Sequence, residues 1–176
     1  MTSLLVNFYQ GHGRDHRGRA LSEIHAFSVD RLEHEHDFIQ WLFPLRDPSP
    51  VNPGAPVLTD DDVAEFRADV ALRDRLRASF AVMACFYGFA IEAGDGRVEV
   101  RRDAHFAARS AEWLYTGSHN FLRITRILKS LTILGETELA SAFLYSLEGV
   151  FADNRDIIGE RTRRFWQQAV NGTTNR

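Results

Sequence analysis

The sequence predicts a mostly α-helical protein, a compact bundle of six or seven helices with one small β-hairpin near residues 89–100. Three observations support this fold class. Apolar residues recur with helical spacing over most of residues 30–170. Residues that typically begin and end helices stand at the ends of these periodic segments. All five prolines lie between Pro44 and Pro56, so proline interrupts no helix elsewhere.

The first 29 residues carry weak signals, and we expect the segment GHGRDHRGR to form a polar loop. A phosphate-binding loop would need a helix that begins at its glycines, and none is evident. Asp30 followed by Glu33 predicts a helix that runs to Phe43, where Pro44 ends it. Residues 44–56 then form an extended connector, too short to link separate domains.

The next helix is predicted to begin at Thr59, because a hydroxyl followed by three aspartates suits a helix N-terminus. Helical periodicity continues to Tyr87, with a possible break near Asp69, and Gly88 ends it. Two short alternating runs then flank the segment Gly94, Asp95 and Gly96, which predicts the hairpin.

Four further helices, the first of them short, complete the predicted fold. Asp103 is expected to cap a helix that runs to Tyr115. Gly117 and Ser118 mark a stop and a new start, and the following helix reaches Leu134, with Gly135 after it. Two last helices cover about 136–151 and 156–170.

Length and composition indicate one soluble domain spanning residues 1–176. Apolar residues make up 44% and charged residues 26%, and the net charge of -3 gives no general attraction to nucleic acid or anionic membranes. No apolar stretch approaches the length of a bilayer span and no signal peptide is evident, so we expect a cytoplasmic protein. Lys129 is the only lysine among 21 basic residues, which indicates biased codon usage, as in a GC-rich bacterium.

Cys85 is the only cysteine, so neither an intrachain disulfide nor a cysteine-based zinc site is expected. Because it lies in the apolar run SFAVMACFYGF, we expect its side chain to be buried.

The predicted helix 30–43 carries a polar residue where its apolar face should be. On a helical wheel, Glu35 falls within the apolar arc formed by Leu32, Phe38, Ile39, Leu42 and Phe43. Glu35 must therefore find a basic or hydrogen-bonding partner or remain in water. His34 lies at one edge of this arc beside Trp41. His34 and His36 point in nearly opposite directions on a helix, and we therefore predict no bound metal and no cofactor.

The predicted helix 119–134 repeats the pattern. Asn120 falls inside its apolar arc and Arg123 lies on the border, with His119 and Arg126 beside it on the polar side. Since buried polar groups need partners, we expect the two helices to pack together with Glu35 meeting Asn120 and Arg123. This contact is either an interhelical clamp or the floor of a polar cleft. In the second case the cleft is lined by Trp41, His34, His119 and Arg126.

Three blocks of sequence resemble a known family. The segments LEHEHDFIQWLFPLRDPSPVNPGAPVLT, MACFYGF and SHNFLRITRILKSLTILG, with NFYQG before them, are similar to the conserved region of the opioid growth factor receptor family. The similarity is densest over residues 7–135. It implies the fold of that region, without the long C-terminal extension of animal members. Those members are described as receptors for Met-enkephalin associated with the nucleus and its membrane.

We therefore expect a binding domain for a small peptide or another small molecule, with the binding residues His34, Glu35, Trp41, His119, Asn120, Arg123 and Arg126. No catalytic motif pairs a nucleophile with a base, which favours binding over catalysis. Two alternatives remain. One is an enzyme that uses His34 or His119 as general base. The other is nucleic-acid binding through a ridge of Arg123, Arg126 and Lys129, which the net charge disfavours.

Overall fold

The mostly α-helical class is confirmed. The computed structural model describes residues 2–94 and 96–172, and within them it is 63% helical, with ten helices and one two-stranded antiparallel hairpin. The chain divides into two compact units, Met1–Phe80 and Ala81–Arg176. The expectation that residues 1–176 form a single domain stays a prediction.

The first unit contains five complete helices and the beginning of a sixth. Their bounds are α1 Leu4–Gln10, α2 Leu21–His25, α3 Val29–His34, α4 Ile39–Leu42, α5 Asp60–Ala68 and α6 Val70–Tyr87. Between α1 and α2 lies the predicted polar loop, residues 11–20. Between α4 and α5 lies the proline-rich connector, residues 44–56, which forms no helix or strand.

Aromatic side chains form the core of this unit. The rings of Phe8 and Trp41 meet edge to face with centroids 5.1 Å apart, and Tyr9 meets Phe66 in the same way at 4.8 Å. The buried Tyr9 hydroxyl donates to the carbonyl of Leu42, and burial raises the pKa of this phenol. These contacts hold α1 against α4 and α5.

The predicted continuous helix 30–43 is wrong. Ser28 rather than Asp30 caps α3, which ends at His34, and α4 begins only at Ile39. Glu35 adopts an extended conformation with φ -87° and ψ 131°. The apolar residues predicted for this segment are nevertheless buried: Leu32, Phe38, Ile39, Leu42 and Phe43.

The predicted start of α5 is confirmed. The Thr59 hydroxyl accepts from the backbone N–H of Asp62 at 3.1 Å, and the Asp62 carboxylate accepts from the backbone N–H of Thr59 at 2.9 Å. This reciprocal arrangement satisfies two amides that the helix leaves unpaired. The predicted break is also present, because Asp69 is extended between α5 and α6.

The second unit begins within α6. It continues with β1 Phe89–Gly94, β2 Arg97–Arg102, α7 Phe106–Trp113, α8 Asn120–Ile133, α9 Thr137–Asp153 and α10 Arg155–Asn171. The predicted hairpin is confirmed by antiparallel pairing from Phe89 with Arg102 to Gly94 with Arg97. Asp95, in the predicted turn, lies outside the described residues. Gly88, with φ +84°, ends α6 as predicted, and Gly135 has φ +97° after α8.

Side chains of β1 and of helices α6 to α10 form the core of the second unit. Phe89 meets Phe143 at 5.5 Å between centroids, Tyr87 meets Trp113 at 5.3 Å, and Phe121 meets Trp166 at 6.0 Å. The predicted apolar face of α8 is buried throughout: Phe121, Ile124, Ile127, Leu128, Leu131 and Leu134.

Two local predictions in this unit are wrong. Asp103 does not cap α7, which begins at Phe106; its carboxylate instead accepts from the backbone N–H of His105 at 2.7 Å in the preceding turn. Cys85 is exposed, because the buried face of α6 is formed by its neighbours Met83, Ala84 and Tyr87.

Candidate functional site

A buried arginine organises the polar residues of the first unit. The guanidinium of Arg19 contacts three carboxylates. Its Nε donates to Asp15 at 2.6 Å, Nη1 donates to Glu35, and Nη2 donates to Asp37 at 2.9 Å. Asp15 is fully buried, and the side chains of Glu35 and Asp37 are 22% and 26% exposed. The planar fork of a guanidinium suits such multiple carboxylate contacts.

The loop between α1 and α2 holds this arginine in place. Asp15 accepts from the backbone N–H groups of Arg17 and Arg19, each at 2.9 Å, while its backbone N–H donates to the carbonyl of Arg19. The carboxylate therefore fills the concave side of the loop. The amides that an external phosphate would need are already bonded to Asp15, and no helix begins at the glycines.

The break between α3 and α4 explains how Glu35 and Asp37 reach one guanidinium. Residues two apart on a helix point away from each other, whereas residues two apart in an extended segment point to the same side. Because Glu35 is extended, both carboxylates face Arg19. Of the two outcomes open for Glu35, a polar partner or exposure to water, the structure shows basic partners. They are Arg19, from the loop, and Arg31, which donates to Glu35 at 2.6 Å.

Two partly exposed arginines complete this cluster. Arg17 donates to Asp37 at 3.2 Å, and Arg31 lies over the ring of Phe27 while it contacts Glu35. Three arginines thus balance three carboxylates. We refer to Asp15, Arg17, Arg19, Arg31, Glu35 and Asp37 as the Arg19 cluster.

Protonation equilibria follow from these contacts. Burial alone would raise the pKa of Asp37, but hydrogen bonds and charge attraction from Arg19 and Arg17 outweigh it and lower that pKa. Burial alone would lower the pKa of Arg19, yet Asp15 and Asp37 outweigh burial and raise it. Both groups are therefore charged at neutral pH.

Trp41 and His16 lie beside the Arg19 cluster. The indole N–H of Trp41 donates to Nδ1 of His16 at 3.0 Å, and Nε2 of His16 lies 3.4 Å from the Asp37 carboxylate. Trp41 is only 1% exposed. From the proline-rich connector, Asn52 donates to the backbone carbonyl of Asp37 at 2.9 Å.

Among the predicted binding residues of the first unit, His34 lies at the exposed end of α3. Its Nδ1 is 2.7 Å from the carbonyl of Asp30, one turn earlier, so this nitrogen carries the proton in that hydrogen bond. Glu35 belongs to the Arg19 cluster, and Trp41 adjoins it through His16. The residues that sequence reasoning missed are Asp15, His16, Arg17, Arg19 and Asp37, and no periodic pattern in the sequence marks them.

The predicted binding residues of the second unit lie at the N-terminus of α8. Asn120 is buried, and its side-chain oxygen accepts from the Tyr87 hydroxyl at 3.3 Å and from Arg123 at 3.4 Å. The backbone N–H of Asn120 donates to the Ser118 hydroxyl at 3.2 Å. The indole of Trp113 donates to the carbonyl of Tyr87 at 3.1 Å. Tyr87 and Ser118 were not predicted members of this cluster.

The other residues of this part of α8 are less enclosed. His119 precedes the helix, and His119, Arg126 and Lys129 are each partly buried. Arg123 is only 5% exposed, so it does not extend an open basic ridge with Arg126 and Lys129. The predicted meeting of Glu35 with Asn120 and Arg123 stays a prediction.

Within residues 2–94 and 96–172, no three histidine, cysteine, aspartate or glutamate side chains are grouped so as to hold a metal ion. In the same described residues, no helix is both long enough and apolar enough to cross a bilayer.

Comparison with known proteins identifies the family. The model of the opioid growth factor receptor conserved region matches residues 7–174. The rat (Rattus norvegicus) opioid growth factor receptor is 47% identical over 108 residues, 61% of this chain and 18% of the relative. The human (Homo sapiens) receptor is 43% identical over 109 residues, 61% of this chain and 16% of the relative.

A second group of relatives carries a related name. Opioid growth factor receptor-like protein 1 of Xenopus tropicalis is 41% identical over 106 residues, 60% of this chain and 20% of the relative. The chain thus spans about a fifth of the length of the curated relatives it matches. No solved structure matches it. Because the family model covers nearly the whole chain, the chain belongs to the opioid growth factor receptor family.

Proposed function

We propose that this member of the opioid growth factor receptor family is a ligand-binding domain whose ligand is a short peptide. The name of the rat, mouse and human relatives, opioid growth factor receptor, supports a peptide of that kind. The observation that carries the proposal is the Arg19 cluster. Its buried arginine fixes the positions of Glu35 and Asp37, whose carboxylates remain partly exposed to solvent. These two hydrogen-bond acceptors therefore lose little conformational freedom when a ligand binds.

Both signs of charge are available on this surface. Arg17 and Arg31 are about half exposed beside the carboxylates. A peptide with a free amino group and a free carboxylate therefore finds acceptors on Glu35 and Asp37 and donors on the two arginines. In this proposal the exposed His34 lies at the rim, and the buried Trp41 supports the surface from below through His16.

The second unit carries its own cluster of predicted binding residues. Asn120 and Arg123 are buried, which supports a positioning role, whereas His119 and Arg126 are only partly buried. The nucleic-acid alternative has weaker support because Arg123 lies inside the protein. The enzyme alternative, with His34 or His119 as base, has no further observation in its favour. We also propose that the protein is cytoplasmic, as expected from the sequence.

Calorimetric titration with Met-enkephalin, the ligand that the family resemblance implies, tests the proposal. We expect saturable binding that Glu35→Gln and Asp37→Asn each weaken at least about tenfold, which corresponds to about 1.4 kcal/mol. Asp74→Asn is the matched control, since Asp74 pairs with Arg77 on the exposed face of α6 in the same unit. Each variant is first checked by thermal unfolding.

Two outcomes contradict the proposal. Absence of binding up to millimolar Met-enkephalin would exclude this peptide as the ligand. Saturable binding that Glu35→Gln and Asp37→Asn leave unchanged would place the binding surface away from the Arg19 cluster.

A further inference from the structure

His16 joins three segments of the first unit. It belongs to the loop between α1 and α2, it accepts from Trp41 on α4, and it lies against Asp37 in the extended segment between α3 and α4. The rings of His16 and Trp41 are nearly parallel, with an angle of 10° between their planes. The proline-rich connector also reaches this histidine: a Cβ placed on Gly54 would be 3.8 Å from the His16 Cβ.

The hydrogen bonds of His16 fix its tautomer. An indole N–H donates and has no acceptor, so Nδ1 of His16 accepts from Trp41 and carries no proton. In the neutral ring the proton is then on Nε2, the nitrogen that faces the Asp37 carboxylate. Neutral His16 is thus a bridge that accepts from a buried indole and points its own N–H at a carboxylate.

We propose that His16 is a proton-operated switch, which bridges Trp41 and Asp37 when neutral and releases Trp41 when protonated. A protonated imidazole has donors on both ring nitrogens, so Nδ1–H would face the indole N–H of Trp41. Two donors that face each other repel, and the ring must turn away from Trp41. The indole N–H, which is buried, then loses its partner.

The charges around His16 determine where the protonated ring goes. Asp37 faces it directly, and Glu35 lies beside Asp37 on the same guanidinium of Arg19. Arg17, from the loop of His16 itself, also binds Asp37. On the other sides, α4 offers the uncharged indole of Trp41, and the connector offers Asn52 and Gly54.

A cationic His16 therefore keeps its attraction to Asp37 while it competes with Arg17 for that carboxylate. Asp15 and Arg19 remain bonded to each other on either side of residues 16–18, so the change is confined to these residues. The state of the switch is set by the charge of the His16 ring. The switch needs no ligand, because every group involved is a side chain of this chain, but it acts on Asp37 and Trp41, which also belong to the proposed binding surface.

Nuclear magnetic resonance of the full chain tests the switch directly. Long-range nitrogen–proton correlation at pH 8 should show His16 with its proton on Nε2. The indole N–H resonance of Trp41, assigned by its loss in Trp41→Phe, should shift as pH falls from 8 to 5. In His16→Gln that shift should disappear, because the amide oxygen of glutamine accepts from Trp41 and does not titrate. His12→Gln, an exposed histidine of the same loop, should retain it.

The wild-type tautomer decides the matter even if His16→Gln does not fold. A proton on Nδ1 at pH 8 would overturn the proposal. A Trp41 indole resonance that is unchanged from pH 8 to 5, or that shifts equally in His16→Gln, would also overturn it.

Discussion

Arg19 shows how one side chain organises the polar part of the first unit. Its guanidinium uses each of its nitrogens on a different carboxylate, and one of these, Asp15, has no access to water. Removal of the arginine would leave the Asp15 carboxylate buried without its ion-pair partner. An unpaired buried charge lowers the free energy of unfolding strongly. The free energy of unfolding should therefore depend strongly on this residue.

We accordingly expect Arg19→Ala to lower the free energy of unfolding by about 3–5 kcal/mol. Arg77→Ala, which removes an arginine paired with Asp74 at the surface, should lower it by less than about 1 kcal/mol. Urea unfolding followed by circular dichroism measures both changes. Similar losses in the two variants would show that the Arg19 cluster contributes no more than a surface pair.

Arg123 allows a second comparison between an enclosed and a more open cation. It is 5% exposed and donates to the buried Asn120, whereas Lys129, further along the same helix, is partly buried. Arg123→Ala leaves a buried amide oxygen with one donor fewer, so it should destabilise the protein more than Lys129→Ala, by about 1–3 kcal/mol. Thermal or urea unfolding of the two variants gives the difference; a value near zero would mean that water replaces the arginine.

At the scale of elements, the contact between α2 and α6 should respond to acid. Nε2 of His25 lies 2.8 Å from the hydroxyl of the buried Ser79, and burial lowers the pKa of His25. The unfolded chain therefore binds this proton more readily than the folded chain. Stability is fully present above the ordinary histidine pKa of 6.5 and is lost as pH falls through the lower pKa of the folded state.

We expect the free energy of unfolding to fall between pH 7.5 and pH 5, and His25→Gln to make that decrease smaller. His105→Gln, at an exposed position before α7, should leave the decrease as it is. Urea midpoints at several pH values provide the test. A pH dependence identical in wild type and His25→Gln would remove His25 as its source.

The turn between α6 and β1 depends on a glycine for two separate reasons. Gly88 has φ +84°, and a Cβ at this position would lie 2.7 Å from the Cα of Phe106 on α7. Gly117 has nearly the same φ, +81°, but a Cβ there meets no atom within 4 Å. The two glycines therefore separate backbone strain from steric overlap.

Gly117→Ala should cost about 1–2 kcal/mol, the strain of the left-handed conformation alone. Gly88→Ala should cost clearly more, because the helix α7 must also move away. Thermal unfolding of both variants measures the two costs, and equal costs would show that α7 shifts without penalty.

The accuracy of the sequence prediction differs from one helix to another. Long, regular segments such as α8 follow from periodicity alone, because a buried stripe of side chains recurs over four turns. The division of residues 30–43 into α3 and α4 does not follow from periodicity. It depends on Arg19, which lies in another segment and binds Glu35 and Asp37 only when the chain between them is extended.

The residues of the candidate sites also differ in how far the sequence predicts them. Helical periodicity marks Glu35, Asn120 and Arg123 as polar positions within apolar faces, although residues 30–43 do not form the continuous helix assumed for Glu35. Asp15, Arg19 and Asp37 were missed since their significance comes from tertiary contact, and no periodic pattern marks a loop residue. Polar residues within apolar faces are therefore predictable from sequence, whereas their partners in loops are not.

Across the whole molecule, acidic and basic side chains are nearly balanced in number, and in the first unit they are also paired in space. The chain has 24 acidic and 21 basic residues, and in the Arg19 cluster three carboxylates face three arginines. Carboxylates bound to guanidinium groups offer fewer lone pairs to a cation. The three carboxylates of this cluster are therefore largely neutralised within the protein, while Glu35 and Asp37 remain partly exposed.

The Arg19 cluster also bears on the metal content of the protein. Glu35 and Asp37 point to one side as a metal would require, but Arg19 occupies that side. In the described part of the chain no group of three potential ligands is placed to hold an ion. We therefore expect native mass spectrometry of the purified protein to give the mass of the 20.1 kDa chain without a stoichiometric metal. Elemental analysis that finds one zinc, iron or manganese per chain would contradict this expectation and favour the enzyme alternative. Added Zn²⁺ should also leave the melting temperature unchanged, since an ion that binds only the folded state would raise it.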